Sequence, residues 1–282
     1  MRLKPGFTPD AVEPVLGRAL LLWQNFQSSR QPWDEYFRVV DNTERVLGQY
    51  FIEPDFNAVL YDGHFRMLVS SGPMSRVTPR IMTREAEKQI EFLKQVQDDL
   101  KLLRTYAERP GVPVVYDTNM LVHWLSPAQV KWPDVLRGEG IRTSEVRLVV
   151  PLVVIDELDR QKSGEGQLGE RAAQAIRYLQ RALEGAEGEP VTVRPGVTLE
   201  VRLDPPGHRR GDADMEILLC AAELDQLKPG TETRVLSDDF GMHLRAQGLG
   251  LKAMRLPDEC RKNARRQGPA AQEQGTKEND TL

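Results

Sequence analysis

The sequence has little cysteine and no long apolar run. Only Cys220 and Cys260 occur among its 282 residues, without partner cysteines at zinc-ligand spacing, which argues against a disulfide framework or a zinc knuckle. No apolar run reaches the roughly 18 residues needed to cross a bilayer. The amino terminus, MRLKPGFTPD, lacks the basic region and apolar core of a secretion signal. We therefore expect no membrane partner and a cytoplasmic location.

A strong charge of one sign is also missing. The formal net charge of -4 argues against indiscriminate electrostatic attachment to nucleic acid, although local basic patches can still bind phosphates. Hydrophobic residues make up 40% and charged residues 28% of the chain, the balance of an ordinary globular protein. The length is sufficient for two domains with separate cores.

Residues 1–110 are expected to form a helical domain of unknown role. Apolar residues have helical spacing over residues 11–27, and a long amphipathic helix is predicted from Thr78 until Arg109-Pro110-Gly111 ends it. The aromatic segment WQNFQSSRQPWDEYF is interpreted as the core between two helices, with RNA binding as the alternative. We hypothesise that this domain docks on the following one or mediates homo-oligomer formation.

Residues 111–258 alternate between strand-like and helix-like patterns. VPVVYD, RLVVPLVVID, RVLSDD and LKAMRL are apolar, as strands covered on both faces should be, and amphipathic helices separate them. This alternation predicts an α/β fold with a parallel, doubly wound sheet, interrupted by a hairpin or insertion at VTVRPGVTLEVRLD. Residues 259–282 are polar and are expected to form a disordered tail.

Acidic residues fall at the ends of the predicted strands. In a parallel sheet, ligands bind outside the carboxyl ends of the strands, so these carboxylates are expected to converge on one crevice. Crowded carboxylates need a cation, and oxygen ligands without Cys or His select Mg²⁺ or Mn²⁺. Each aspartate alone could instead cap a helix, but their shared position favours a metal site. The acids are Asp117, Asp156, Glu157, Asp212, Asp214, Asp238 and Asp239.

Four motifs in this region resemble the PIN domain family, in particular the PIN modules of PhoH-like ATPases and of nonsense-mediated decay factors. The resemblance covers residues about 112 to 256. VPVVYDTNMLVHW is similar to the first strand and its Asp-Thr-Asn turn, and VIDELDRQKSGEG to the second acidic segment. DADMEILLCAAEL resembles the Asp-x-x-Ile helix, and VLSDDFGMHLRAQGLG the last strand, its Thr-x-Asp turn and the basic helix after it.

The resemblance implies which residues carry the chemistry. The catalytic, metal-binding acids would be Asp117, Glu157, Asp214 and Asp239, with Asp212 and Asp238 as further metal ligands and Asn119 and Ser237 as auxiliary polar residues. Serine replaces the usual threonine at Ser237. Asp238 stands where many members have an uncharged or basic residue, so either Asp238 or Asp239 could face the metal, and strand alternation allows only one of them to do so.

The implied activity is divalent-metal-dependent endoribonuclease cleavage of single-stranded RNA with Mg²⁺ or Mn²⁺. A metal-activated water makes a histidine base unnecessary, so His64, His123, His208 and His243 are interpreted as packing or surface residues. Stacking on unpaired bases by Tyr116, Trp124 and Trp132 competes with core packing. The substrate phosphates are expected to meet Arg160, Lys162, Arg171, Arg177, Arg209 and Arg210.

Two alternatives remain at this point. One is a catalytically silent PIN-like scaffold that binds RNA or protein, and the other is the toxin of a toxin–antitoxin pair. A hydrolase of the aspartyl-phosphate kind is disfavoured because Thr118-Asn119 follows Asp117, where that chemistry needs a second aspartate two positions on. The sequence also lacks a Gly-x-Ser-x-Gly elbow and a phosphate loop.

Overall fold

A computed structural model describes residues 3–4, 6–30, 33–51, 56–204, 208 and 210–262. Contacts between Cα atoms divide the chain into two compact units. The first comprises the residues up to Arg109 together with Leu224–Pro229, and the second comprises Pro110–Glu223 and the residues from Gly230 onward. No helix within these described ranges is long and apolar enough to span a bilayer.

The first unit contains helices α1 to α5. Their bounds are Pro9–Ser28 for α1, Trp33–Tyr50 for α2, Asn57–Leu60 for α3, Gly63–Ser71 for α4 and Thr78–Glu108 for α5. A proline in the first turn starts α1 and α5, where its missing N–H costs no hydrogen bond. Asp62 caps α4 by accepting from the backbone N–H groups of His64 and Phe65.

The core of the first unit is aromatic and aliphatic. Trp23 and Phe26 of α1 and Tyr36 of α2 are buried and make edge-to-face or tilted ring contacts with one another. The apolar face of α5 is buried in the same cluster. The segment WQNFQSSRQPWDEYF therefore packs as a core between two helices, as its spacing predicts, and its most deeply buried rings are not available for RNA.

The second unit alternates strands with helices. Its strands are β1 (Val112–Tyr116), β2 (Val146–Pro151), β3 (Val191–Arg194), β4 (Val197–Arg202), β5 (Arg234–Leu236) and β6 (Lys252–Met254). Its helices are α6 (Thr118–His123), α7 (Trp132–Gly138), α8 (Leu152–Gln161), α9 (Gln167–Ala182), α10 (Ala213–Leu227) and α11 (Phe240–Gly248). The last turn of α10 is grouped with the first unit.

The six strands form one sheet in the order β3-β4-β2-β1-β5-β6. All neighbouring pairs are parallel except β3 with β4. The predicted hairpin is therefore part of the sheet, because β4 pairs with β2 along its whole length. After β1, the next strands of the chain lie on one side of it, in the order β2, β4 and β3. The chain then crosses over so that β5 and β6 lie on the opposite side of β1. The switch point of the sheet lies between β1 and β5, the place where such folds bind ligands.

Two parts of the sequence interpretation are wrong in detail. The apolar run RLVVPLVVID is not one strand: β2 ends at Pro151, and Leu152 begins α8, because a continuous apolar run serves a buried strand and a buried helix face equally well. Glu157 is therefore a helix residue rather than a strand-end residue. Residues 259–262 are folded, with Arg261 bridging to Trp124. The rest of the predicted tail lies outside the described residues.

Candidate active site

The centre of the site lies at the carboxyl ends of two neighbouring strands. Tyr116 of β1 and Leu236 of β5 are partners in the sheet register, so the residues that follow them, Asp117 and Ser237, emerge side by side. The Ser237 hydroxyl donates to Oδ2 of Asp117 at 2.7 Å and accepts from the backbone N–H of Asp239 at 3.1 Å. One buried serine therefore links two of the predicted acids.

Asp117 is buried, with 4% of its surface exposed. Burial raises the pKa of its carboxyl group, and the nearby charge of Asp214 raises it further, while the hydrogen bond from Ser237 opposes the shift. The donor to Oδ2 of Asp117 is the neutral hydroxyl of Ser237, which brings no compensating positive charge. A buried carboxylate held in this way favours the arrival of a cation.

Glu157 reaches the site from α8 rather than from a strand. Its carboxylate accepts a hydrogen bond from the hydroxyl of Thr118, the residue that follows Asp117. A guanidinium nitrogen of Arg160 lies 3.9 Å from Oε1 of Glu157. Because Thr118 lies between them, Asp117 and Glu157 belong to the same local network.

Asp214 lies in the first turn of α10, close enough to Asp117 to affect its pKa. Its carboxylate forms an ion pair with Arg245 of α11. Asp212, just before the helix, is exposed, and its backbone carbonyl accepts from Glu216. Asp214 is therefore tied to the site by electrostatics and by α11.

The adjacent aspartates after β5 have different surroundings. Asp239 is the N-cap of α11 and accepts from the backbone N–H of Gly241 at 2.6 Å. Asp238 is paired with Arg255 and, at 2.6 Å, with Arg261. Burial would raise the pKa of Asp238, but the hydrogen bonds from these two arginines prevail and lower it. Because Arg255 and Arg261 already compensate the charge of Asp238, Asp239 is the better candidate for a metal ligand.

The four acids are connected through Ser237, Thr118 and electrostatics, but their ligand atoms do not form a compact group among the described residues. Within the described ranges, the one group of three potential metal-binding side chains whose ligand atoms lie within 4.8 Å of one another is Asp62, His64 and Glu85, in the first unit. In the second unit, Arg245 holds Asp214 and the Gly241 amide holds Asp239. These contacts disperse mutually repelling carboxylates.

A cleft of about 480 Å³ opens beside these acids. The guanidinium of Arg261 lies over the ring of Trp124, 5.1 Å from its centroid, and Arg171 contacts His123 Nδ1 at 3.3 Å. The cleft therefore contains carboxylates and guanidinium groups next to one another. Its lining residues are Asn119, His123, Trp124, Arg171, Asp238, Asp239 and Arg261.

The predicted basic residues occupy several different places. Arg171 lines the cleft. Arg160 is exposed, and Lys162 pairs with Asp159 at 2.6 Å. Arg177 is exposed on α9, Arg210 is paired with Asp156 and Asp204, and Arg209 lies outside the described residues. An RNA track along these side chains stays a prediction.

The aromatic candidates for base stacking are buried. Tyr116, Trp124 and Trp132 have at most 1% of their surface exposed, and the rings of Tyr116 and Trp132 make an edge-to-face contact. The exposed aromatic next to the acids is Phe240, 76% exposed, immediately after Asp239. The sequence interpretation did not include Phe240. Its position directly after Ser237-Asp238-Asp239, at the start of a helix, could have indicated an aromatic side chain next to the acids.

Two histidines also lie closer to the acids than the sequence interpretation held. His123 lines the cleft, and burial, followed by Arg171 and Lys262, lowers its pKa. A ring nitrogen of His243 lies 2.8 Å from the backbone oxygen of Ser237. Helix periodicity could have indicated His243, which lies one turn after Asp239.

Comparison with known proteins identifies related sequences. The PIN domain family model matches residues 114–256. Protein PhoH2 of Thermobispora bispora is 36% identical over 121 residues, and Protein PhoH2 of Mycolicibacterium smegmatis is 35% identical over 122 residues. Each match covers 40% of this chain and 27% of the relative, so the match spans about a quarter of the relatives' length.

A solved structure is also similar in part. It is a domain of a functionally unknown protein from Methanocaldococcus jannaschii, with a TM-score of 0.33 and 16% sequence identity. The alignment covers 60% of this chain and 100% of that one.

Proposed function

Because the chain belongs to the PIN domain family, whose members are generally nucleases, we propose that its second unit is a divalent-metal-dependent endoribonuclease that hydrolyses single-stranded RNA. The observation that carries the proposal is the position of Asp117. It is a buried carboxylate at the switch point of the sheet that accepts from Ser237 and feels the charge of Asp214, and Ser237 and Thr118 connect it to Asp239 and Glu157.

PIN nucleases typically use divalent metals, and the donor set here fits a hard cation. The carboxylates of Asp117, Glu157, Asp214 and Asp239 supply only oxygen, which Mg²⁺ and Mn²⁺ prefer. When bound, such an ion lowers the pKa of an attacking water and stabilises charge on a transferring phosphoryl group.

The protein's own residues prepare that chemistry. Ser237 holds the orientation of Asp117, and Thr118 holds that of Glu157. Such outer partners of metal ligands fix geometry and commonly affect metal affinity or activity 10- to 100-fold. Asn119 is exposed beside Asp239 in the cleft, where its amide can orient a substrate phosphate.

The choice of single-stranded RNA rests on what surrounds the acids. Phe240 offers an exposed ring at the edge of the site, and unpaired bases stack on such rings. Arg171 in the cleft provides positive charge for a flanking phosphate. Bases in a duplex are already stacked on one another, so this arrangement favours unpaired nucleotides.

The test is cleavage of a labelled single-stranded RNA during a Mn²⁺ titration. The full chain should cleave it in proportion to metal occupancy, and Asp117→Asn should reduce the rate more than about 100-fold, beyond the range seen for outer partners. Asp134→Asn is the matched control, since Asp134 is exposed and paired with Arg137 away from the site. Equal rates for the chain and Asp117→Asn would refute the nuclease. Single-stranded DNA and duplex RNA of the same sequence test substrate class.

One observation supports a second candidate, a PIN scaffold that binds RNA without cleaving it. The ion pair between Arg245 and Asp214 already compensates one of the four acids with a protein cation. If that pair persists with metal present, RNA should bind with normal affinity and remain uncut. The substitution Arg245→Gln distinguishes the two, because it releases Asp214: an increase in Mn²⁺ affinity indicates a competent site.

A further inference from the structure

The first unit contains a compact group of potential metal-binding side chains that the proposed nuclease does not use. Asp62, His64 and Glu85 each bring one ligand atom within 4.8 Å of the others. Nδ1 of His64 lies 3.2 Å from Oε2 of Glu85 and 4.0 Å from Oδ2 of Asp62. Three elements of sequence thus converge: the cap of α4, its first turn and the second turn of α5.

The group is held in place by its surroundings. The Glu85 side chain is 1% exposed, and its Oε1 accepts from Gln89 at 2.7 Å. Oδ1 of Asp62 accepts from two backbone N–H groups at the start of α4, so its Oδ2 is the oxygen that turns toward the group. With Glu85 buried, Asp62 fixed by backbone donors and His64 33% exposed, the arrangement resembles a preorganised, solvent-accessible ligand set more than a loose surface ion pair.

A second observation, independent of the acids, indicates a missing ligand. Tyr36 of α2 is fully buried, and its hydroxyl has no hydrogen-bond partner among the described residues. The charges of Glu85 and Asp62 act on this hydroxyl, since after burial itself they raise the pKa of Tyr36. The buried Oε1 of Gln89, next to Glu85, is also without a partner in the described part of the chain. Buried polar groups of this kind are normally satisfied by protein, water or an ion.

We propose that Asp62, His64 and Glu85 form a binding site for a first-row transition-metal ion, with Zn²⁺ as the fitting probe. One imidazole nitrogen and two carboxylate oxygens match the mixed ligands that zinc accepts, and a fourth position remains for water. A water there gives the Tyr36 hydroxyl its partner. The metal would replace the contact between Nδ1 of His64 and Oε2 of Glu85, with the proton of the neutral imidazole carried on Nε2.

Lys88 is the competitor for this site. Its ammonium lies 2.8 Å from Oδ2 of Asp62 and 3.5 Å from Oε1 of Glu85, and it also donates to the backbone oxygen of Val59 at 2.6 Å. The side chain is 30% exposed, so the ammonium can move outward when a doubly charged ion arrives. The expected role of the metal is to clamp α4 and α5 together.

The experiment measures Zn²⁺ binding to the full chain with Mg²⁺ in excess to saturate the acids of the second unit. We expect one zinc equivalent, a higher melting temperature, and an X-ray absorption spectrum that shows imidazole in the zinc shell. Because His123 and His243 lie near the acids of the second unit, the imidazole signal is assigned to His64 only if it disappears in His64→Gln. Failure of the proposed nuclease would leave this result unchanged.

Three variants sharpen the test. His64→Gln should weaken zinc binding at least 10-fold, and Lys88→Gln should strengthen it severalfold by removing the competing ammonium. His208→Gln is the matched control, because His208 contacts Glu216 at 2.8 Å but belongs to no group of three metal-binding side chains in the described part of the chain, and it should bind zinc like the unaltered chain. Unchanged zinc affinity in His64→Gln, a zinc shell without imidazole, or weaker binding in Lys88→Gln would each overturn the proposal.

Discussion

The hydroxyl of Ser237 donates to Oδ2 of Asp117 at 2.7 Å across 120 positions of sequence. Both residues follow neighbouring parallel strands, and the same hydroxyl accepts from the N–H of Asp239. Asp117 therefore has its position set by the sheet and its orientation set by a serine. This contact underlies the first prediction.

Ser237→Ala should lower RNA cleavage about 10- to 100-fold, the usual cost of losing a partner of a metal ligand. The Ser237 hydrogen bond lowers the pKa of Asp117, so its loss should raise that pKa and move the acid limb of the pH–rate profile to higher pH. Ser237→Thr keeps the hydroxyl and should retain both rate and profile. A pH profile that does not move would contradict the assigned role.

The buried charge of Asp117 should reduce stability at neutral pH when metal is absent. Burial and the charge of Asp214 raise the pKa of Asp117 in the folded state, so the folded protein binds that proton more tightly than the unfolded chain. This contribution to stability is present in acid and is lost as pH rises from about 4, the ordinary aspartate range, through the raised pKa.

The measurement is thermal unfolding in a chelator across this pH range. Asp117→Asn should melt a few degrees above the unaltered chain at neutral pH, and the difference should shrink in acid. Mg²⁺ should then stabilise the unaltered chain more than the variant. Asp134→Asn should show neither effect. A variant less stable than the unaltered chain at neutral pH would be incompatible with this account.

The adjacent aspartates should differ in metal binding. Asp239→Asn should weaken Mn²⁺ binding at least 10-fold, because the carboxylate is lost while asparagine still caps α11. Asp238→Asn should change Mn²⁺ affinity by less than about 3-fold, since Arg255 and Arg261 already neutralise Asp238. Calorimetry or the magnetic resonance of Mn²⁺ measures both. The reverse order of effects would assign the ligand to Asp238.

Phe240 should contribute to RNA binding by stacking. Phe240→Ala should weaken binding of a single-stranded RNA about 10-fold, given roughly 1–3 kcal/mol per stacked base, and should not change the melting temperature because the ring is exposed. Phe240→Trp keeps an aromatic face and should restore affinity. Leu249→Ala, at an exposed position near the other end of α11, is the control. Equal RNA affinity for Phe240→Ala and the unaltered chain would exclude stacking.

Arg171 should contribute to RNA binding through its positive charge and not through recognition of the base sequence. Arg171→Gln should weaken RNA binding at all sequences and reduce the slope of log affinity against log salt by about 1, the effect of one lost phosphate contact. Arg181→Gln, further along the same helix, should leave the slope unchanged. A slope that does not change in Arg171→Gln would place Arg171 outside the RNA path.

Most of the fold was determined by the sequence alone. The apolar runs before Asp117 and Ser237 became β1 and β5, and the amphipathic segments became α5, α9 and α10, because burial selects the element whose period matches the apolar pattern. The PIN resemblance was likewise carried by short motifs, which the family comparison confirms for residues 114–256. These properties depend on residues near one another in the chain.

The local sequence pattern could not predict the features of the structure that depend on residues distant in the chain. Leu152 starts a helix where the apolar run continued, and Trp124 and Trp132 are buried rather than exposed to RNA. The charge compensation of Asp238 comes from arginines 17 and 23 positions later. The grouping of Asp62 and His64 with Glu85 likewise required α4 and α5 to pack. Burial and charge compensation arise only when remote side chains meet, so tertiary structure alone settles them.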